Sequence, residues 1–268
     1  MKKLLLSILT SVLFCGSALH AQSTASKNVS TFMIDAPQLG GARKIWLYLP
    51  ENYKASKKKL PVIYMHDAQN LFDKSTSFSG EWQVDETLDS LKAQVIVVGI
   101  AHGNEKRIEE LTPYPNPKYG GGKADNYLDF IVTTLKPHID KNYRTKPDVK
   151  NTAIFGSSLG GLVSFYAVLK YPTVFGKAGV FSPSFWYTDD IYKLMEQAPK
   201  NKAKIYFLAG DSESKEDDVV GDIKKMEHLL DANRCACLKL NKTVVVKGGQ
   251  HNEKLWRESF AKAYLWLF

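Results

Sequence analysis

The stretch Ile154-Phe155-Gly156-Ser157-Ser158-Leu159-Gly160-Gly161 sets a serine between glycines where a short apolar run gives way to a helical pattern. It matches G-x-S-x-G, with Ser158 as the central serine, and the chemistry of that motif is nucleophilic attack of a hydroxyl on a carbonyl carbon. Gly156 and Gly160 are expected to leave room for a sharp backbone turn. The plainer reading is a glycine-rich turn with a capping serine, since serine caps helices well and glycine favours turns. The neighbouring elements decide between the two. Residues 150–156 read as a buried strand, and residues 159–170 carry apolar side chains at Leu159, Leu162, Val163, Phe165, Tyr166 and Leu169, a helical period that Pro172 ends. Strand, turn and helix arrive in the order that a nucleophile elbow needs.

A serine hydroxyl attacks only when a base takes its proton and a carboxylate orients that base. On this elbow the partners follow in chain order, first the acid and then the histidine. His251 fits: it follows the strand Thr243-Val244-Val245-Val246 through the turn Gly248-Gly249-Gln250 and precedes the last helix. His66, His102 and His138 precede the serine, and His228 falls within an amphipathic helix where a surface role is expected. The acid belongs after the strand at 204–209, where Gly210-Asp211-Ser212-Glu213 opens a run of carboxylates. Position alone leaves Asp211 and Glu213 even, and either could instead cap the next helix. The oxyanion needs two backbone donors. One is the N–H of Leu159, and the other is expected from the loop Asp67-Ala68-Gln69-Asn70-Leu71-Phe72-Asp73, at Gln69 or Ala68. His66, Asp67 and Asp73 lack metal-ligand spacing, and Gly120-Gly121-Gly122-Lys123 lacks P-loop spacing and a preceding strand, so it reads as a flexible loop.

These residues need a scaffold, and the chain supplies one by alternating element types. Residues 31–37 and 43–50 read as an antiparallel pair joined at Gly40-Gly41, while 60–66 and 95–101 are continuous apolar runs, as strands buried on both faces must be. Helical spacing recurs over 84–91, 124–139, 189–197, 219–230 and 252–268, with further strands at 178–181, 205–209 and 242–246. Residues 102–123, rich in Gly, Pro and charge, are expected as a long loop over the site, offering Arg107, Glu110, Tyr114 and Tyr119 to substrate. The fold class is α/β, a mainly parallel sheet with an antiparallel start and helices on both faces. Ligands of such sheets bind at the carboxyl ends of the strands.

Met1-Lys2-Lys3, an apolar run over 4–14 and small residues to Ala21 form the pattern of a secretory signal, which places the protein outside the cytoplasm, periplasmic or secreted. The run is too short to span a bilayer, which takes about 20 residues. Cys15 before Gly16 offers lipoprotein anchoring as an alternative, although Phe14 is bulky for that site. Residues 22–29 read as a loose leader and 30–268 as one domain, without a repeat or linker. The net charge of +8 falls to +6 without Lys2 and Lys3, and the lysines are scattered without interleaved aromatics, which argues against a nucleic-acid surface. Cys235 and Cys237 are spaced too closely for an unstrained bridge, and neither pairing nor metal binding is assigned to them.

Several segments together resemble the putative-esterase family of α/β-hydrolases, the group of feruloyl and acetyl-xylan esterases, enterochelin-type esterases, S-formylglutathione hydrolases and mycolyltransferases. They are Pro61 to Phe72, Gly80-Glu81-Trp82, Gly156 to Gly161, Ser182-Pro183-Ser184-Phe185-Trp186 and Gly249-Gln250-His251, spread over most of the chain. The resemblance implies an α/β-hydrolase fold and selects Glu213 over Asp211, because the family's acid stands three residues after a glycine that ends the strand. It places the second oxyanion donor on Gln69, with Ala68 where the family has glycine, and sets Trp186 and Trp82 beside the acyl or alcohol pocket. Either tryptophan could instead be core.

The expectation is an exported serine esterase with Ser158, Glu213 and His251 as its catalytic set, Leu159 and Gln69 as oxyanion donors, and Trp186, Trp82 and Tyr114 against substrate. It calls for neither metal nor organic cofactor. The expected partner is a small-molecule or oligosaccharide ester, feruloyl or acetyl, with no nucleic acid and no membrane span. Three alternatives stand beside it: a siderophore esterase, an acyltransferase to a sugar acceptor, and a non-catalytic carbohydrate-binding protein on an inherited fold.

Overall fold

The computed structural model describes residues 23–200, 202–233 and 240–268. The expected signal at 1–21, with Cys15, and the pair Cys235 and Cys237 lie outside the described residues. The chain opens with β1 (Val29–Ala36), β2 (Gly41–Tyr48), β3 (Val62–Met65), α1 (Val84–Ser90) and β4 (Ile96–Ile100). It continues through α2 (Arg107–Leu111), the short pair β5 (Pro115–Asn116) and β6 (Gly120–Gly121), α3 (Ala124–Asp129) and α4 (Lys136–Asn142). Then come β7 (Thr152–Ser157), α5 (Leu159–Lys170), β8 (Lys177–Phe181), α6 (Asp190–Gln197), β9 (Lys204–Gly210), α7 (Val219–Asn233), β10 (Asn241–Val246) and α8 (Glu253–Leu267).

The main sheet runs β1-β2-β4-β3-β7-β8-β9-β10. β2 pairs antiparallel with β1 and with β4, and every later pairing is parallel. The antiparallel start and parallel remainder follow the sequence reading. Every residue of β3, β4 and β7 is buried, the signature of strands covered on both faces. The edge strands β1 and β10 are instead partly exposed along their length. One core lies between the sheet and α3, α4, α5, α6 and α7, built around Tyr64, Ile154, Leu162, Phe165 and Phe207. The other lies under α1 and α8 and holds Met65, Phe155, Phe181, Trp256 and Phe260. α5 is buried from Leu159 to Leu169, so the helix behind the elbow is held on all sides.

Three expectations change. The helix over 124–139 is interrupted by a π-helical segment, Phe130–Leu135, just before Pro137 near the start of α4. A proline ring clashes with the carbonyl four residues earlier and lacks an N–H, and a widened turn accommodates both. Residues 102–123 are ordered as α2 and the β5–β6 pair. Residues 23–28 are fastened rather than loose: Ser23 and Thr24 bond to Asp73, Thr24 to Glu81, Ser26 to Asp85 and Asn28 to Asp89.

Candidate active site

Ser158 stands between β7 and α5 with φ 58° and ψ −125°, a conformation that a residue with a Cβ adopts only when its surroundings enforce it. Its N–H donates to Phe181 O at 3.0 Å, and its carbonyl accepts from Leu162 N at 3.1 Å and Ser184 N at 3.2 Å. A Cβ at Gly156 would lie 2.7 Å from Gly160 C and O, and one at Gly161 would lie 2.7 Å from Phe181 O. At Gly160 the same atom would meet His66 Cβ at 3.4 Å, an ordinary contact. The tight pair at the elbow is therefore Gly156 and Gly161, with Gly160 as the neighbour that Gly156 approaches.

β9 and β10 end side by side, and two glycines let their following turns touch. A Cβ at Gly249 would lie 2.8 Å from Gly210 Cα, and one at Gly210 would run into the Gly249 carbonyl. Across this contact Ser212 N donates to Gly249 O at 3.0 Å, and Glu213 reaches His251, whose Nδ1–H donates to Glu213 Oε2 at 2.9 Å. The other oxygen of Glu213 accepts from Gly210 N and from Ser182 Oγ, both at 2.6 Å. Trp256 Nε1 donates to Ser182 Oγ at 2.8 Å, and its ring stands edge-on to His251 at 5.2 Å. The Glu213 side chain is only 2% exposed, against 33% for His251, so the imidazole can meet substrate while its partner stays dry. Asp211 does something else: its Oδ1 accepts Gly248 N at 2.6 Å and pins the turn before His251. Ser182 and Trp256 carried no sign of this role beyond the first lying in the Ser182-to-Trp186 segment.

Ser158 Oγ lies 3.3 Å from Ser184 Oγ and hydrogen-bonds to that hydroxyl, not to His251. Such links are often open until substrate arrives. Leu159 heads α5, and Gln69 lies in a short 3-10 turn after Asp67. Among the described residues neither amide donates to a protein acceptor, which leaves both available to an oxyanion. Asp67 is left-handed at φ 55°, and its carboxylate is gripped by Arg107 through Nε at 2.8 Å and Nη2 at 2.9 Å. Burial pushes the Asp67 carboxyl up, but the Arg107 guanidinium outweighs it and the group lies below its ordinary range. His66 is wholly buried; its Nδ1 is 2.8 Å from Tyr127 Oη, and burial takes its pKa down to about 4. His66, Asp67 and Asp73 are thus committed to Tyr127, to Arg107, and to Ser23, Thr24 and Ser75.

The charges expected over the site are largely spent. Arg107 holds Asp67, and Glu110 forms a paired contact with Arg43 at 2.6 and 2.9 Å. Trp82 is corrected from the pocket to the core: it is 3% exposed and stacks on Phe181 at 5.3 Å and near Trp256 at 5.7 Å. Trp186 is 42% exposed two residues after Ser184, with Tyr119 edge-on at 6.0 Å. The β5–β6 pair is tied beside it, through Asn116 Nδ2 to Tyr187 O and Tyr187 Oη to Gly120 O. Tyr114 is half-buried against Tyr166 at 6.3 Å.

Comparison with known proteins bears on the fold and the family. The uncharacterized protein YbbA of Bacillus subtilis is 27% identical over 244 residues, 85% of this chain and 93% of the relative. An endo-1,4-beta-xylanase/feruloyl esterase of Xylanibacter ruminicola is 27% identical over 232 residues, 83% of this chain but 29% of the longer protein. A siderophore enterobactin esterase of Emericella nidulans is 26% identical over 191 residues, 63% of this chain and 61% of that one. Among solved structures, the BES protein from Bacillus cereus superimposes with a TM-score of 0.72 at 20% identity, over 94% of this chain and 98% of that one, and so shares the fold. The sheet order and helix layers are those of the α/β-hydrolase fold. The "Putative esterase" family model matches residues 36–267, so the chain belongs to that family and is a carboxylic-ester hydrolase.

Proposed function

We propose that the chain is an exported serine esterase working through an acyl-enzyme on Ser158. Ser158 Oγ exchanges the Ser184 hydroxyl for His251 Nε2, gives up its proton there and attacks the ester carbonyl. Leu159 N–H and Gln69 N–H receive the oxyanion. His251 returns the proton to the leaving alcohol, Glu213 holds the imidazolium in orientation, and water then releases the acid by the same steps in reverse. The single observation that carries this reading is the contact of His251 Nδ1 with a buried Glu213, whose other oxygen accepts from Ser182, the residue after the Phe181 carbonyl that holds the Ser158 amide.

The exposed rings of Trp186 and Tyr119, close to Ser184 and hence to Ser158, favour an ester with an aromatic acyl part. Feruloyl esters and siderophore esters that carry aromatic groups both meet that description, and the named relatives include a feruloyl esterase and a siderophore enterobactin esterase. Ser158→Ala is expected to abolish both fluorophosphonate labelling and turnover of p-nitrophenyl acetate in a folded protein; retained turnover refutes the mechanism. Hydrolysis of methyl ferulate, acetylated xylan and a triserine-lactone siderophore, compared by kcat/KM, decides the substrate. Product analysis with added sugars separates hydrolysis from acyl transfer. Detection of the chain with residues 1–21 removed tests export.

A further inference from the structure

At the start of α1, three carboxylates converge that the proposed reaction does not use. The ligand oxygens that Glu81, Asp85 and Glu86 offer all lie within 4.8 Å of one another. Glu81 is 4% exposed and Asp85 fully buried. One oxygen of each, Glu81 Oε1, Asp85 Oδ1 and Glu86 Oε2, is buried without a donor from any residue outside the cluster, and burial together with the neighbouring Asp85 carboxyl raises the Glu86 pKa to about 8. This orphaning is separate from the clustering, because the remaining oxygens of the two buried groups are served: Glu81 Oε2 accepts from Thr24 Oγ1 at 3.0 Å and Asp85 Oδ2 from Ser26 N at 2.7 Å. The nearest cation recorded about Glu81, Arg257, spends its Nη1 hydrogen bond on the Glu81 backbone carbonyl at 2.9 Å and not on a carboxylate. Acceptor-only groups packed this closely out of water repel one another unless something positive lies between them.

We propose that Glu81, Asp85 and Glu86 form a binding site for a hard divalent cation of the Ca2+ class, which straps residues 23–28 to the start of α1. A separation within 4.8 Å is about twice a Ca–O bond of roughly 2.4 Å, so three oxygens can share one ion. Ca2+ accepts irregular oxygen shells completed by water, and half-buried Glu86 leaves a side open for it. Mg2+, at roughly 2.1 Å and strictly octahedral, fits such a spread less well. Because Thr24 and Ser26 bond one oxygen of Glu81 and one of Asp85, an ion bound by these carboxylates fixes the N-terminal segment through the same side chains. None of the three carboxylates hydrogen-bonds to Ser158, Glu213 or His251, so the site's fate is separable from the Ser158 mechanism.

The test uses the whole protein, stripped with EDTA and dialysed into metal-free buffer. Titration with CaCl2 at pH 7.5 is expected to give one-to-one calorimetric binding and to raise Tm by about 5 °C at 100 times Kd, with a weaker response to MgCl2. Asp85→Asn and Glu86→Gln should each weaken Ca2+ binding at least about tenfold while leaving p-nitrophenyl acetate turnover unchanged. Should Asp85→Asn not fold, Glu86→Gln carries the comparison. Absence of a Ca2+ response in the unsubstituted protein, the result if the cluster holds a shared proton only, overturns the proposal. So does an undiminished response in Glu86→Gln.

Discussion

Glu213 and the pair Glu81 and Asp85, which Glu86 joins from a half-buried position, are withdrawn from water, yet they are provisioned in opposite ways. Glu213 is a lone carboxylate with three donors on its two oxygens, from Gly210 N, Ser182 Oγ and His251 Nδ1. The other group crowds three carboxylates together and leaves one oxygen of each without a donor. A saturated carboxylate has no tendency to move or to recruit an ion, and can serve as a fixed reference for an imidazole. An unsaturated group is stable only once a cation or a proton joins it. Burial of an acid is therefore uninformative by itself; the count of its donors separates a positioning role from a binding one.

The largest expected effect comes from breaking the saturated side. Glu213→Gln should keep the fold and lower kcat by about a thousandfold or more, since an amide no longer fixes the tautomer or stabilises the imidazolium. Asp211→Asn loosens only the Gly248 turn and should cost much less; equal losses in the two variants would mean that the acid is misassigned. Gly210→Ala follows, because its Cβ would enter the Gly249 carbonyl and drive apart the turns that bring Glu213 to His251. It should cut kcat steeply and lower Tm together. Ser182→Ala comes next: it removes one donor from Glu213 and the acceptor of Trp256 Nε1. A loss of about 1–3 kcal/mol in stability is expected, with kcat reduced and KM for p-nitrophenyl acetate nearly unchanged. A change in KM alone would place Ser182 against substrate instead.

Which parts of these regions the sequence reveals follows from how local their determinants are. The elbow is a contiguous pattern, and His251 is marked by the strand, turn and helix around it. Asp211 and Glu213 are indistinguishable by position because both have real partners at the same turn, and only the family resemblance separates them. Trp82 reads equally as pocket or core, and its stacking on Phe181 and Trp256, far along the chain, decides for core. Arg107 and Glu110 look like free charges on a loop because their partners, Asp67 and Arg43, are 40 and 67 residues away. Glu81, Asp85 and Glu86 resemble the acidic first turn of any surface helix. Only coverage by residues 23–28 and by α8 turns Glu81 and Asp85 into buried carboxyls.

The unsaturated side should respond to neutralisation with the opposite sign. In EDTA at pH 7.5, Glu86→Gln fixes as neutral a carboxyl that burial and the neighbouring Asp85 already raise to about 8, and it supplies N–H donors to oxygens that have none. Donation to the orphaned acceptors beside this half-buried position is expected to raise Tm by about 2–4 °C, the shift that about 1 kcal/mol gives in a domain of this size. Glu213→Gln, which removes the charge-assisted bond to His251 and places an amide among donors, should lower Tm in the same buffer. Added CaCl2 should narrow or reverse the gap between Glu86→Gln and the unsubstituted protein by stabilising only the latter, and should leave the deficit of Glu213→Gln unchanged. Paired melting curves with and without CaCl2 read all three. A fall in Tm for Glu86→Gln in EDTA would show that its carboxylate is already satisfied, and the contrast between the two regions would fail.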